Sequence, residues 1–474
     1  MGMLPCTSMF SSLWFETVTN HMSQLVAELR RTGHAKRIVG FHLMGFHDKQ
    51  FSSSDFPDFS PSALAEYRRL TGDPTAEIPV FTRDDFLDPV KDVAQRRWIK
   101  FVKGGHCRMQ NRIARHIKSC FGKDVVAVRW SYGPYSGKYL DDYDTWEFLH
   151  SDALDILVAQ QAYGYRGPAI PFANKIPFAS YHRHGKMYLD ELDFRTWNVV
   201  NGSEMGLIGL GCAMDLPMWK SSFRRAAGRM VAGGMGWWFY DMENGWFDHP
   251  AILEDVSTAL HEIRNISKGD AGWHPSAAIV IDERNIIENV NLVRRRASGD
   301  AAAYREKEEA MNDLAAHLPK FAASGVPCDI WLSDDLFADP KIANRYKAIA
   351  WTCCVRKDEK RRAFERSFFA NGGRMMFRED LCRATAESFN RFAREAGAYV
   401  PIDRSGLQVD MNGNFISLHC IIPGHYDFRL PYSAKVVNLK TGREVPTLAH
   451  GLVISVDMQA GETRWYALRP LPHP

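Results

Sequence analysis

The densest group of reactive side chains lies in residues 185–196, GKMYLDELDFRT. An apolar run ends abruptly there in Asp190, Glu191 and Asp193, with Arg195 close behind. Carboxylates at the end of a buried strand, beside a guanidinium, can be held ionised and oriented. The competing reading is a solvated loop with a surface ion pair, and composition alone does not separate the two. His42, His47, His182 and His184 lie near expected strand ends, but not at a metal-ligand spacing. The sequence contains no GxSxG elbow, Walker loop or dinucleotide fingerprint. No metal and no cofactor is therefore expected.

The elements that must hold these residues follow from the hydrophobic pattern. Residues 1–265 alternate short apolar runs with longer amphipathic stretches. Strands are predicted at 37–44, 124–130, 156–160, 186–190 and 236–240, with helices at 15–32, 60–70, 90–120, 144–151 and 205–232. Gly233-Gly234 is expected to end the last of these helices. Strands alternating with helices imply a parallel sheet, and in a (β/α) barrel the C-terminal strand ends carry the active site. Residues 266–385 repeat the alternation on a smaller scale. Strands are predicted at 277–281, 328–332, 348–354 and 374–377, and helices at 302–324 and 358–370, as in a compact flavodoxin-like sheet. Residues 386–474 change to alternating runs at 415–421, 434–439, 452–458 and 463–468. Asn412-Gly413, Pro423-Gly424, Thr441-Gly442 and Ala460-Gly461 break these runs, which reads as a small antiparallel β domain.

A chain of 474 residues is long enough for two to four domains, and 45% hydrophobic residues suffice for packed cores. The net charge of +3 comes with no basic tail and no basic stripe interleaved with aromatics, so nucleic acid is not an expected partner. The basic runs at 294–296 and 360–362 are expected to be solvated faces. No stretch approaches the roughly 18 apolar residues of a membrane helix, and residues 1–15 do not read as a signal peptide. The nine cysteines include only one close pair, the adjacent Cys353-Cys354, with no CxxC spacing. That pattern suits free thiols in a reducing compartment, the cytoplasm.

Residues 185–196 resemble the "GKxxxDExDxRT" stretch of glycoside hydrolases related to the family 42 β-galactosidases. Other segments resemble the same family, in the same order. IVGFHL (38–43) is similar to its fourth strand and FSPSAL (59–64) to the helix after it. DILVAQQAYGYRGP (155–168) is similar to the sixth strand and its loop, and GWWFYDM (236–242) with GWFD (245–248) to the eighth. GVPCDIWLSDDL (325–336) resembles the family's middle domain, a glutamine-amidotransferase-like fold without its catalytic residues. The resemblance spans nearly the whole chain. It implies a partial (β/α)8 barrel at 1–265, a trimerisation-like α/β domain at 266–385 and a small C-terminal β-sandwich at 386–474. A carbohydrate substrate and a homotrimer are implied with it.

The resemblance makes Glu191 the nucleophile of a retaining glycosidase, with Asp190 as the fallback. In such enzymes two carboxyl groups about 5–5.5 Å apart act on the sugar, one as nucleophile and one as acid. Tyr163, Arg166 and Arg195 would orient the nucleophile or bind hydroxyls. His42, Asp190 and Asp241 would shape the sugar pocket, and Trp130, Trp238 and Trp246 would stack on a pyranose face. For the tryptophans, core packing is the competing reading. Two departures stand out. The family's first three strands have no counterpart, so the barrel is expected to be N-terminally truncated. The "GEW"-like motif that carries the acid aligns with GFHDKQF (45–51), which puts Lys49 at the glutamate position and leaves Asp48, the nearest carboxylate, as the candidate catalytic acid. The alternative to an enzyme is a silent carbohydrate-binding or scaffold protein derived from one.

Overall fold

The computed structural model describes residues 8–43, 58–80, 93–122, 124–131, 145–161, 166–172, 176–198, 212–241, 245–267, 272–283, 313–352 and 358–471. The chain forms two compact units: Met1–Ala159 with Ser180–Tyr188 and Asp282–Asn312, and Gln160–Ala179 with Leu189–Ile281 and Asp313–Pro474.

In the first unit, α1 (Ser12–Arg31) precedes β1 (Gly40–Leu43), α2 (Pro61–Thr71) and α3 (Val93–Phe121). Then come β2 (Val126–Ser131), α4 (Thr145–Leu149) and β3 (Ile156–Gln160). The short helix α5 (Phe178–Arg183) leads into β4 (Met187–Leu192). β1 pairs in parallel with β2, and β2 in parallel with β3. The start of β4 joins β3 through Met187 N–H, which donates to Asp155 O at 3.1 Å. The strand expected at 37–44 starts later because His34–Arg37 closes a 3-10 turn first. α3 carries Met109, Ile113, Ile117 and Phe121 at four-residue spacing, so they form one apolar face. That face packs with Val26 of α1. Lys186, from the sequence motif, has an anchoring role. Its ammonium donates to Ser151 O (2.7 Å) and Leu154 O (2.5 Å), fastening the turn before β3.

The second unit continues with the end of β4, then β5 (Arg195–Thr196), β6 (Cys212–Ala213), α6 (Leu216–Ala232), β7 (Gly236–Phe239) and α7 (Pro250–Arg264). Asp215 caps α6 by accepting from Met218 N–H at 2.8 Å, and Gly233 ends the helix as its sequence suggested. β4 and β7 are parallel neighbours.

A four-stranded parallel sheet follows, built from β8 (Ala277–Ile281), β9 (Cys328–Leu332), β10 (Ala348–Thr352) and β11 (Arg374–Met376) in the order β11-β10-β8-β9. Every residue of β8 and β10 is buried, which explains their unbroken apolar sequences. The helices of this part are α8 (Asp313–Ala323), α9 (Ser333–Ala338), α10 (Glu359–Ala370), α11 (Arg378–Arg383) and α12 (Ala386–Glu395). The basic run at 360–362 is not simply a solvated face. Arg361 is 1% exposed, pairs with Glu365 at 2.6 Å and lies over the Trp351 ring at 5.2 Å. The long aliphatic stem and flat guanidinium let arginine pack this way.

The last strands are antiparallel: β12 (Leu407–Met411), β13 (Phe415–Cys420), β14 (Gly424–Arg429), β15 (Ala434–Asn438), β16 (Glu444–Val445), β17 (Val453–Met458) and β18 (Thr463–Pro470). Five form a sheet, β12-β13-β18-β15-β16, and β14 pairs with β17. Val409, Leu418, Phe428, Val456 and Leu468 draw both sheets into one core. α6 lies so close to this sheet that a Cβ on Gly228 would stand 2.2 Å from Ser417 Oγ and 2.7 Å from Trp465 Nε1.

Candidate active site

β4 ends in two carboxylates that are nearly inaccessible, Asp190 at 2% and Glu191 at 0% exposure. On β7, Trp237 stands opposite Asp190 and Trp238 opposite Glu191. Successive side chains of a strand point to opposite faces. Trp237 and Phe239 each meet Phe223 of α6 at 5.9 Å between ring centroids, so theirs is the helix-covered face. Trp238 and Tyr240 pack together on the other face at 5.8 Å. Glu191 therefore shares its face with Trp238, whereas Asp190 lies on the α6 side. There the amide of Gln161 donates to its Oδ2 at 2.6 Å.

The chain beyond β4 is pinned from two directions. Arg166 and Asp193 form an ion pair with side chains only 2% and 8% exposed. The same guanidinium donates to Gln161 O at 3.1 Å. A continuous chain of contacts thus runs from Asp193 through Arg166 and Gln161 to Asp190. On the other side the Arg195 guanidinium lies 4.6 Å from the centroid of Trp246. The Thr196 hydroxyl donates to Trp246 O, and Trp246 N–H donates to Asp241 Oδ2 at 2.9 Å. The Asn198 amide donates to Gly245 O at 2.6 Å. The segments after β4 and after β7 are tied together by these bonds.

Arg166, Asp190, Glu191, Arg195, Trp238, Asp241 and Trp246 all belong to the second unit. His42 and Trp130 belong to the first: His42 sits on β1 opposite Val128, and Trp130 lies near the end of β2, 4% exposed. Burial lowers the basicity of the His42 ring. Asp48, Lys49 and Tyr163 lie outside the described residues. Trp246 is 1% exposed and Trp238 half-buried. His184 packs its ring against His150 at 4.6 Å. Among the described residues no group of His, Cys, Asp and Glu is arranged to hold a metal ion. Gln161 and Arg225 were not singled out from sequence. Arg225 is one of four basic residues in the helix sequence WKSSFRRAAGRM, so nothing in the sequence marks it as the fully buried one.

Parallel strands added with intervening helices, and acids at the C-terminal end of one of them, are the architecture of barrel-type glycoside hydrolases. In sequence, no family model and no curated protein matches the chain. In three dimensions, it has the fold of the family 42 enzymes. It superposes over 98% of its length on 83% of the β-galactosidase from Bacillus circulans sp. alkalophilus, with a TM-score of 0.58 and 11% identity. The β-galactosidase of the Antarctic haloarchaeon Halorubrum lacusprofundi gives 0.57 at 11% identity, covering 98% of this chain and 84% of that one. An apo exo-carrageenase of family GH42 from Bacteroides ovatus gives 0.51 at 10% identity, covering 98% and 70%. At such identities the likeness is one of fold.

Proposed function

We propose that this protein is a retaining glycoside hydrolase acting on β-galactosides or related glycosides, with Glu191 as its nucleophile. The observation that carries this reading is the facing of the two acids. Glu191 stands at a strand's C-terminal end on the face it shares with Trp238, while Asp190 is turned to α6 and occupied by Gln161. A carboxylate on the same face of the sheet as an aromatic ring can meet the anomeric carbon of a sugar stacked on that ring. Arg166 and Arg195 orient the segment that follows, and Trp238 offers a surface for a sugar ring. The β-galactosidases with this fold support the substrate class, and the exo-carrageenase with the same fold is why related glycosides are kept in it.

The strand order β11-β10-β8-β9 supports a flavodoxin-like middle domain. The core shared by the two antiparallel sheets supports a C-terminal β-sandwich. By the same resemblance the protein is a homotrimer, and its cysteine usage suits the cytoplasm. The deciding experiment is turnover of an activated aryl β-galactoside by Glu191→Gln. A loss of several orders of magnitude in an intact fold is expected. Unchanged turnover would remove Glu191 from the role.

A further inference from the structure

Arg225 lies in the middle of α6 with no exposed surface. Its Nη1 donates to Gly167 O at 2.7 Å and to Ile170 O. Those two carbonyls flank Ala169, whose φ of +51° is a conformation that L residues disfavour. Ser222, on the same helix, donates to Arg166 O at 2.7 Å. From the antiparallel sheet, Gln408 Oε1 accepts from Phe172 N–H at 2.7 Å. Gln408 Nε2 in turn donates to Asp410 Oδ2 at 2.6 Å, and Asp410 Oδ1 accepts from Arg229 of α6 at 2.8 Å. Residues 166–172 are therefore clamped by α6 and by β12. Burial pulls the Arg225 guanidinium down to about 10, against the fields of Asp410 and Asp190, which favour its charge.

We propose that Arg225 and Gln408 are positioning residues of the candidate active site: they fix the strained turn at 166–172, and with it the guanidinium of Arg166 that links Asp193 to Gln161 and Asp190. Neither residue need touch a substrate. Arginine suits the role because the two N–H bonds of Nη1 lie in fixed directions in the guanidinium plane, one for each carbonyl, whereas an ammonium rotates about its stem. Gln408 suits it because its amide has both an acceptor for Phe172 N–H and a donor for Asp410. The antiparallel sheet thus contributes to the site through backbone geometry. This inference rests on the glycosidase reading for its link to catalysis, but the clamp itself can be tested apart from it.

The test uses the full chain with Arg225→Lys and Gln408→Leu. Turnover of a dinitrophenyl β-galactoside gives kcat and KM, and hydrogen exchange at the Phe172 amide reports the clamp. Urea unfolding confirms that each variant folds. Both variants should lose about 10- to 100-fold in kcat, the usual effect of a small misplacement. KM should stay within about threefold, since ground-state contacts are unchanged. Gln408→Leu should also accelerate exchange at Phe172 at least tenfold. Faster exchange with full kcat would overturn the positioning role. So would a kcat that falls only in proportion to the folded fraction. If Arg225→Lys does not fold, Gln408→Leu carries the same test. If the unmodified protein turns over no glycoside, the glycosidase reading fails by itself. Exchange at residues 166–172 then decides the clamp, and unchanged protection in both variants overturns it.

Discussion

The ion pair of Arg166 and Asp193 is almost fully withdrawn from solvent. Such pairs add little net stability when intact, yet removing one partner leaves a buried charge uncompensated. Asp193→Asn is therefore expected to destabilise the protein by about 3–5 kcal/mol in urea unfolding. A change below about 1 kcal/mol, the size typical of exposed pairs, would mean that solvent reaches Arg166. The acid opposite Glu191 is a second matter at this scale. By the family resemblance, Lys49 takes the position of the motif's glutamate. General acid assistance is worth roughly 10²–10⁴ in rate and matters most for poor leaving groups. The unmodified protein should then cleave a dinitrophenyl galactoside and hardly touch lactose, and Lys49→Glu should narrow the gap. Equal, substantial turnover of both substrates would show that an acid is already in place. In the sequence, the family resemblance names Glu191 as the nucleophile and Asp190 as the fallback. That order is kept in the proposed function because Asp190 shares the α6 side of the sheet with Trp237, and Glu191 the other side with Trp238.

At the scale of elements, α6 does the most to organise the second unit. One of its faces meets β7 through Phe223, and its middle meets β13 and β18 at Gly228. Gly228→Ala would place a methyl group against Ser417 and Trp465 and should cost about 1–3 kcal/mol. An unchanged urea midpoint would mean that helix and sheet do not approach this closely. The strands at 156–160, 277–281 and 328–332 were legible in the sequence to the residue, because each is a short, mainly apolar run between polar or turn-forming residues. β14 was not read as a strand: its sequence GHYDFR alternates, but with only two apolar residues, Tyr426 and Phe428, directly after the Pro423-Gly424 break. α12 was read as part of a β region because its sequence AESFNRFARE is mostly polar. Its few buried positions are explained by long-range partners, such as Asn390 donating to Ser324 O at 2.8 Å. The contacts from α6 to 166–172 and to β12 were invisible for the same reason, since periodicity carries no information about distant partners.

The whole molecule draws each of its two units from three separate stretches of chain. For the assembly, light scattering should give about three times the 53.9 kDa of one chain, and a monomer mass would count against the trimer. The bond from Phe172 to Gln408 joins residues 236 positions apart. During synthesis at about 5–20 residues per second, the ribosome needs on the order of ten seconds or more to cover that interval. Throughout it, the turn at 166–172 has its partners on α6, Ser222 and Arg225, but lacks Gln408. The turn that carries Arg166 is thus clamped from both sides only once β12 has been translated, long after α6 has emerged.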